Sequence, residues 1–126
     1  MIKSIPIPWT TVIAGSTTAA GFPATGWLPA LQVQKLRVNF EMRGRSGNLQ
    51  VTLGYQTANV ENSPDEPIAV GSYQTTNDVF YGSSPTDISA NTLGKQLIRF
   101  VWMVKLSADG SPGFARVGGS IDYTDS

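Results

Sequence analysis

The chain has 126 residues, the length of one domain, and can bury a core without help from a metal or a disulfide. Nine basic and nine acidic residues cancel, which argues against nucleic acid as the main partner, because phosphate binding draws on a basic excess. The sequence contains no His and no Cys, which excludes Ser-His-Asp and Cys-His catalysis and zinc sites that need thiolates.

Charged residues make up 14% of the chain, compared with ~25% in an average soluble protein. Neutral hydroxyl and amide groups can be buried against another protein at a lower desolvation cost than charges. The composition is therefore suited to a subunit that contacts its neighbours, although an ordinary secreted or viral β-domain fits it as well.

The N-terminal quarter is the irregular part of the sequence. Residues 1–30 are predicted to form an extended arm and leader, and residues 31–126 a β-sandwich, within a single domain. Pro6 and Pro8 remove backbone donors and favour polyproline-like geometry, which predicts an arm at residues 5–9. Because no core strand is assigned to this arm, we expect its removal to leave the sandwich folded.

Two alternating segments follow the leader. Residues 36–43 and residues 49–55 each place apolar side chains at every second position, which predicts two half-buried strands. The glycine-containing turn at residues 44–48 joins them. We interpret this unit as a β-hairpin.

The middle of the chain predicts shorter elements. Residues 57–67 form a polar loop, and short strands are expected at residues 68–73 and 79–81. Residues 83–94 combine helix start and stop signals, which fits either one or two helical turns or a plain loop.

The strongest strand signal lies at residues 96–106. One face carries Ile98, Phe100, Trp102, Val104 and Leu106. Val101 and Met103 occupy the middle of the other face, a pattern typical of a strand at the centre of a sheet. After a turn at residues 108–113, alternation at residues 115–123 predicts a second hairpin.

These elements predict an all-β fold, namely an antiparallel β-sandwich or jelly roll of about six to eight strands with an extended N-terminal arm. A single closed barrel is the alternative arrangement. No window approaches the ~18 apolar residues of a membrane span.

Nine carboxylates could in principle supply a glycosidase pair. They are Glu41, Glu61, Asp65, Glu66, Asp78, Asp87, Asp109, Asp122 and Asp125. Glu41, within a predicted strand, is expected to face water or to pair with Arg37 or Arg43. Residues 61–66 offer oxygen ligands for calcium but lack the Asp-x-Asp-x-Asp-Gly order, so a solvated loop is the preferred interpretation. We expect no enzyme activity, no catalytic residue, no metal and no cofactor.

Three aromatic residues of the leader are candidates for contacts outside the domain. Trp9, Phe22 and Trp27 lie among prolines and glycines, with no predicted strand to direct them inward. They could cap the ends of the sandwich, anchor in a neighbour's pocket or stack on sugar rings. The predicted interface consists of Ile5, Pro6, Ile7, Pro8, Trp9, Phe22 and Trp27.

In overall character the chain resembles bacteriophage and viral capsid decoration (cement) proteins of the jelly-roll type. The resemblance covers the whole chain, with residues 5–9 as the arm and residues 36–55 and 97–123 as the sandwich hairpins. It carries no diagnostic motif, and no functional residue is transferred from it.

The resemblance implies a non-enzymatic structural protein of a virion that packs on a shell and stabilises it through protein–protein contacts. The expected partners are copies of itself, a trimer being one arrangement, and a major capsid or other structural protein, without nucleic acid or membrane. The expected location is the virion, after synthesis in the host cytoplasm. The alternatives are a carbohydrate-binding β-sandwich module, a phage tail or baseplate component, or a small coat protein.

Overall fold

The computed structural model describes residues 3–13, 17–19, 27–46, 49–60, 63–74, 79–83, 85–106 and 113–124. The longer strands are β1 (Lys3–Ile13), β4 (Lys35–Ser46), β5 (Leu49–Ala58), β7 (Val79–Gly82), β9 (Leu97–Leu106) and β10 (Phe114–Thr124). The short strands are β2 (Thr17–Ala19), β3 (Leu28–Pro29), β6 (Ile68–Ala69) and β8 (Thr86–Asp87). A 3₁₀ turn covers Ala30–Gln32, and a helical turn, α1, covers Ser89–Thr92.

The strands form two antiparallel sheets. The first sheet has the order β1-β10-β4-β7, with β8 also paired to β4. The second sheet has the order β2-β9-β5-β6, with β3 also paired to β9. This arrangement confirms the predicted all-β antiparallel sandwich.

Strand β9 lies inside the second sheet, as its two apolar faces predict. Ile98, Phe100 and Trp102 are buried in the core between the sheets, and Val101 is buried on the opposite face. Its neighbour β5 pairs with it over the full length of both strands, from Leu49 to Ala58. The even-numbered side chains at positions 98 to 102 of β9 thus face the core, and the odd-numbered ones face outward, as strand geometry requires.

The two predicted hairpins are wrong. β4 and β5 follow each other in the chain, but β4 pairs with β10 in the first sheet and β5 with β9 in the second. β9 and β10 are separated in the same way. Alternation reveals which side chains point into the core, but it does not reveal which strand the backbone bonds to. Each connection therefore crosses from one sheet to the other.

The prediction of an N-terminal arm is corrected for residues 3–13, which form β1 at the edge of the first sheet. Ile5, Ile7 and Val12 are buried in the common core. The alternation of the two isoleucines is the strand signal that the intervening prolines concealed.

Pro6 and Pro8 are compatible with this strand because of its place in the sheet. Both side chains are exposed, and β1 pairs with one neighbour, β10. Proline lacks an N–H, and an edge strand is where that loss is tolerated. A register shift between Ile7 and Thr10 follows the second proline.

The region around residues 83–94 is a short strand followed by one helical turn. Asp87 accepts hydrogen bonds from the backbone N–H and the hydroxyl of Ser89, at 2.9 and 2.6 Å, at the start of α1. Gly94, with φ of 79°, adopts the left-handed conformation that follows a helix end. The predicted N-cap, Ser84, lies outside the described residues. Within the described part of the chain, no helix is long and apolar enough to cross a bilayer.

Aromatic side chains connect the two sheets across the core. Phe40 of β4 meets Trp102 of β9 edge to face, with ring centroids 5.6 Å apart, and Tyr81 lies 5.4 Å from Phe40. Phe100 and Tyr123 make a second contact between the sheets at 6.3 Å. The buried Nε1 of Trp102 finds no hydrogen-bond acceptor among the described residues.

A polar network ties three neighbouring strands together on the outer side of the first sheet. Ser4 of β1 donates its hydroxyl to Asp122 of β10 at 2.5 Å, and Arg37 of β4 donates to the same carboxylate at 2.6 Å. These hydrogen bonds hold the pKa of Asp122 below its ordinary value, and the bond from Ser4 has the largest effect. The network therefore favours the ionised carboxylate.

We predict that Trp102→Ala lowers the free energy of unfolding by about 3–5 kcal/mol, the range for large aromatic truncations in cores. Trp102→Phe should cost clearly less, because phenylalanine retains an aromatic ring and lacks the buried N–H, which has no acceptor among the described residues. A buried N–H without an acceptor costs ~1–3 kcal/mol. Urea unfolding followed by circular dichroism measures both. A loss for the alanine variant within the ~0.5 kcal/mol typical of surface substitutions would contradict the central position of this strand.

Strand β1 generates a second prediction. Ile7→Ala should lower the free energy of unfolding by about 2–5 kcal/mol, as expected for a buried isoleucine. Pro6→Ala, one residue away and exposed, is the matched control and should have a much smaller effect. If both variants unfold at the wild-type denaturant concentration, β1 does not contribute to the core.

The Asp122 network predicts a pH-dependent stability. Because the pKa of Asp122 is lowered on folding, its contribution is present above the ordinary carboxyl pKa of about 3.9 and disappears as the pH falls through the lower pKa of the folded protein. The difference in unfolding free energy between wild type and Asp122→Asn should therefore shrink on acidification. A difference that stays constant from neutral pH to the acid range would refute this assignment.

Candidate functional site

Three of the carboxylates considered for catalysis, Glu41, Asp65 and Asp122, form ion pairs, and Asp87 accepts hydrogen bonds from Ser89. Glu41 pairs with Arg43 at 3.0 Å, one of the two arginines predicted for it, while Arg37 pairs with Asp122 instead. Among the described residues, no group of three or more acidic side chains could hold a metal ion. Glu61, Asp78, Asp109 and Asp125 lie outside them.

The outer face of the second sheet is covered by the chain itself. Residues 63–74 run beside β5, where the Thr52 hydroxyl donates to the Gly71 carbonyl at 3.2 Å. The amide of Gln56 donates to the Asp65 carbonyl at 3.1 Å. Both Thr52 and Gln56 are buried in consequence.

Two cation–π contacts extend this cover along β9. The guanidinium of Arg99 lies 4.6 Å from the ring centroid of Trp27, and its Nε donates to Gln56 at 2.9 Å. The ammonium of Lys105 lies 3.9 Å from the ring centroid of Tyr73. Trp27 and Tyr73 are thus already in contact with cations of this chain.

The outer face of the first sheet carries an exposed tryptophan. Trp9, which is 45% exposed, lies across Gly118 of β10. A Cβ at Gly118 would stand 2.7–2.9 Å from three atoms of the indole, Cγ, Cδ2 and Cε2. Only a residue without a side chain lets the ring approach the sheet this closely. The indole therefore rests on the sheet and remains accessible from solvent.

Two arginines flank this indole. The guanidinium carbons of Arg43 and Arg116 lie 5.9 and 5.8 Å from the ring centroid of Trp9, within cation–π range. Arg43 forms an ion pair with Glu41, whereas Arg116 makes no ion pair or side-chain hydrogen bond with any described residue. Among the residues that the structure describes, none neutralises the positive charge of Arg116.

The same face ends in an apolar pair. Ile13 of β1 and Phe114 of β10 lie opposite each other and are 62% and 50% exposed. With Thr11, Ser46 and Gly113 they line an open groove of about 420 Å³. We call the set of Trp9, Ile13, Arg43, Phe114 and Arg116 the Trp9 patch. Contiguous apolar surface with a few charges is typical of protein interaction sites.

The structure divides the predicted interface residues. Ile5 and Ile7 belong to the core and are corrected as interface residues, because β1 points them inward. Pro6, Pro8 and Trp9 are exposed, and Trp27 is half-buried on the other sheet. Phe22 lies outside the described residues.

Sequence reasoning missed Ile13, Phe114 and Arg116. One signal was present: Ile13 and Phe114 have the opposite parity to the buried Val12 and Ala115, so that their apolar side chains face outward. Their proximity to Trp9 depends on the pairing of β1 with β10, which lie at opposite ends of the chain. Local patterns do not contain that information.

No protein-family model matches this chain, and no curated protein matches it. Solved structures do. The VP2 subviral particle of infectious bursal disease virus gives a TM-score of 0.64 at 13% identity, over 98% of this chain and 32% of that one. The infectious bursal virus derived T=1 particles give 0.63 at 13% identity, over 99% and 33%.

The infectious bursal disease virus Gt strain structure gives a TM-score of 0.61 at 12% identity, over 97% of this chain and 32% of that one. Likeness at this level of identity shows a shared fold. The chain spans about a third of the length of the viral proteins that it matches. The chain thus has the same β-sandwich architecture as one part of these particle proteins.

Proposed function

We propose that this chain is a non-enzymatic structural protein of a virus particle, which acts by packing against other protein subunits. The observation that carries the proposal is the fold likeness, which extends over nearly the whole chain to proteins from virus particles. The absence of His and Cys from the sequence is consistent with a role that requires no catalysis.

The contrast between the two outer faces supports the same proposal. The second sheet is covered by residues 63–74 and by contacts such as that between Arg99 and Trp27. The first sheet instead exposes the Trp9 patch, which combines tryptophan and arginine, the residue types most enriched in interface hot spots. A subunit that packs on one side is expected to show this asymmetry.

The finer proposal is a capsid decoration subunit, which binds an assembled shell and contacts copies of itself. A small coat protein or a tail or baseplate component is the alternative within the same class. These roles differ in stoichiometry and dispensability, because a coat protein is required for the shell, whereas a decoration subunit can be removed from it.

Carbohydrate binding is the second candidate function. Among the aromatic residues, Trp9 has the geometry that suits it best. Its indole rests on Gly118 and keeps one side accessible, and Arg43 and Glu41 next to it could donate and accept hydrogen bonds. Trp27 and Tyr73 are less suitable, because Arg99 and Lys105 lie at 4.6 and 3.9 Å from their ring centroids, closer than the arginines beside Trp9 at 5.8 and 5.9 Å. A glycan array distinguishes this candidate.

The proposal predicts that the chain co-purifies with virus particles from producing cells and that Trp9→Ala lowers its incorporation. Leu93→Ala is the matched control, since Leu93 is 78% exposed but lies outside the Trp9 patch. Quantitative mass spectrometry of gradient-purified particles measures incorporation, and thermal unfolding verifies that both variants fold. A chain absent from particles, or a monomer with specific glycan binding that Trp9→Ala abolishes, would refute the proposal.

A further inference from the structure

The Trp9 patch has a counterpart on the opposite edge of the same molecule. β6 is the edge strand of the second sheet. It begins at Ile68, and Glu66 lies two residues before it. We call these two residues the β6 corner. Glu66 is exposed, and Ile68 is 40% exposed. The corner therefore presents one carboxylate next to one apolar side chain.

The carboxylate of the β6 corner is that of Glu66. Glu66 makes no ion pair or side-chain hydrogen bond with any residue that the structure describes. Asp65 beside it is engaged, with Lys95 at 2.8 Å and the Thr57 hydroxyl at 2.9 Å, and these bonds hold the pKa of Asp65 below its ordinary value. The contacts of Asp65 fix the segment, while Glu66 is exposed and makes no such contact with the described residues.

The two surfaces are complementary in charge and in polarity. The Trp9 patch offers the guanidinium of Arg116, which has no ion-pair partner among the described residues, beside three exposed apolar side chains. The β6 corner offers Glu66, for which the described part of the chain supplies no cation, beside Ile68. Arginine–carboxylate pairs are strong when they are bordered by apolar groups that exclude water.

A single molecule cannot bring these surfaces together. β4 lies across from β5 and β1 across from β9, so the strand orders of the two sheets run in the same direction. β1 and β6 are thus at opposite edges of the sandwich and in different sheets. Contact between the patch and the corner requires a second copy of the chain.

We propose that copies of this chain associate head to tail, with the Trp9 patch of one molecule on the β6 corner of the next and Arg116 paired with Glu66 across the contact. The inference rests on the proposed function, because it names the self-contact of a structural subunit. A head-to-tail contact closes into a ring when the rotation between copies permits, and a trimer is the smallest such ring beyond a dimer.

Charge reversal tests this contact. Arg116→Glu and Glu66→Arg should each weaken self-association of the full chain at least about tenfold, because each leaves like charges facing each other. The double variant Arg116→Glu/Glu66→Arg should recover most of the association. Lys3→Glu is the matched control, since it reverses an exposed charge at the far end of β1 and should have no effect.

A mixture of the two single variants tests the contact most directly. An equimolar mixture of the Arg116→Glu and Glu66→Arg chains should associate more tightly than either variant alone, because every head-to-tail contact between the two is complementary. Sedimentation velocity measures association, and circular dichroism verifies folding. Trp9→Ala should weaken association as well, and Gly118→Ala should do so by displacing the indole without removing it.

The inference is overturned if wild type stays monomeric over the concentration range, if it associates with no response to either reversal, or if the double variant and the mixture fail to recover. Loss of particle incorporation without loss of self-association would instead assign Arg116 to a different partner and also overturn it. None of these results contradicts the proposed function, which is judged by whether the chain is found in particles.

Discussion

The contact on which this fold depends is the interleaving of two apolar faces, centred on the edge-to-face packing of Phe40 against Trp102. Each sheet supplies one ring, so neither sheet is stable without the other's inner face. The strict alternation of β4, β5, β9 and β10 follows from this requirement, because every second side chain must enter the space between the sheets. The outer faces are then free to differ.

The two outer faces differ in how far they are covered by the rest of the chain. On the second sheet, cations of β9 lie over aromatic rings, and residues 63–74 satisfy the polar groups of β5, so little is left for a partner. On the first sheet, a glycine at position 118 lets one tryptophan lie close to the strands between two arginines. The chain carries few charges, and Arg116 and Glu66 are among those with no ion-pair partner in the described part of the structure.

Sequence patterns predicted what depends on neighbouring residues and failed where distant ones decide. The core positions of β9 and the all-β class followed from alternation, since the period of two is a local property. The hairpins were wrong because strand partners are chosen by the whole sandwich. Trp9 was predicted as a contact residue from its surroundings, but Phe114 and Arg116 join it only through pairing of the first and last strands.

The two prolines of β1 have a consequence for crowded conditions. An edge strand of this length would normally be an open template, to which the edge of another molecule could add and so begin a fibre. Pro6 and Pro8 leave gaps in its row of donors, which makes such growth unfavourable. Backbone pairing through the β1 edge is therefore disfavoured at high protein concentration, and contacts at this edge are left to side chains.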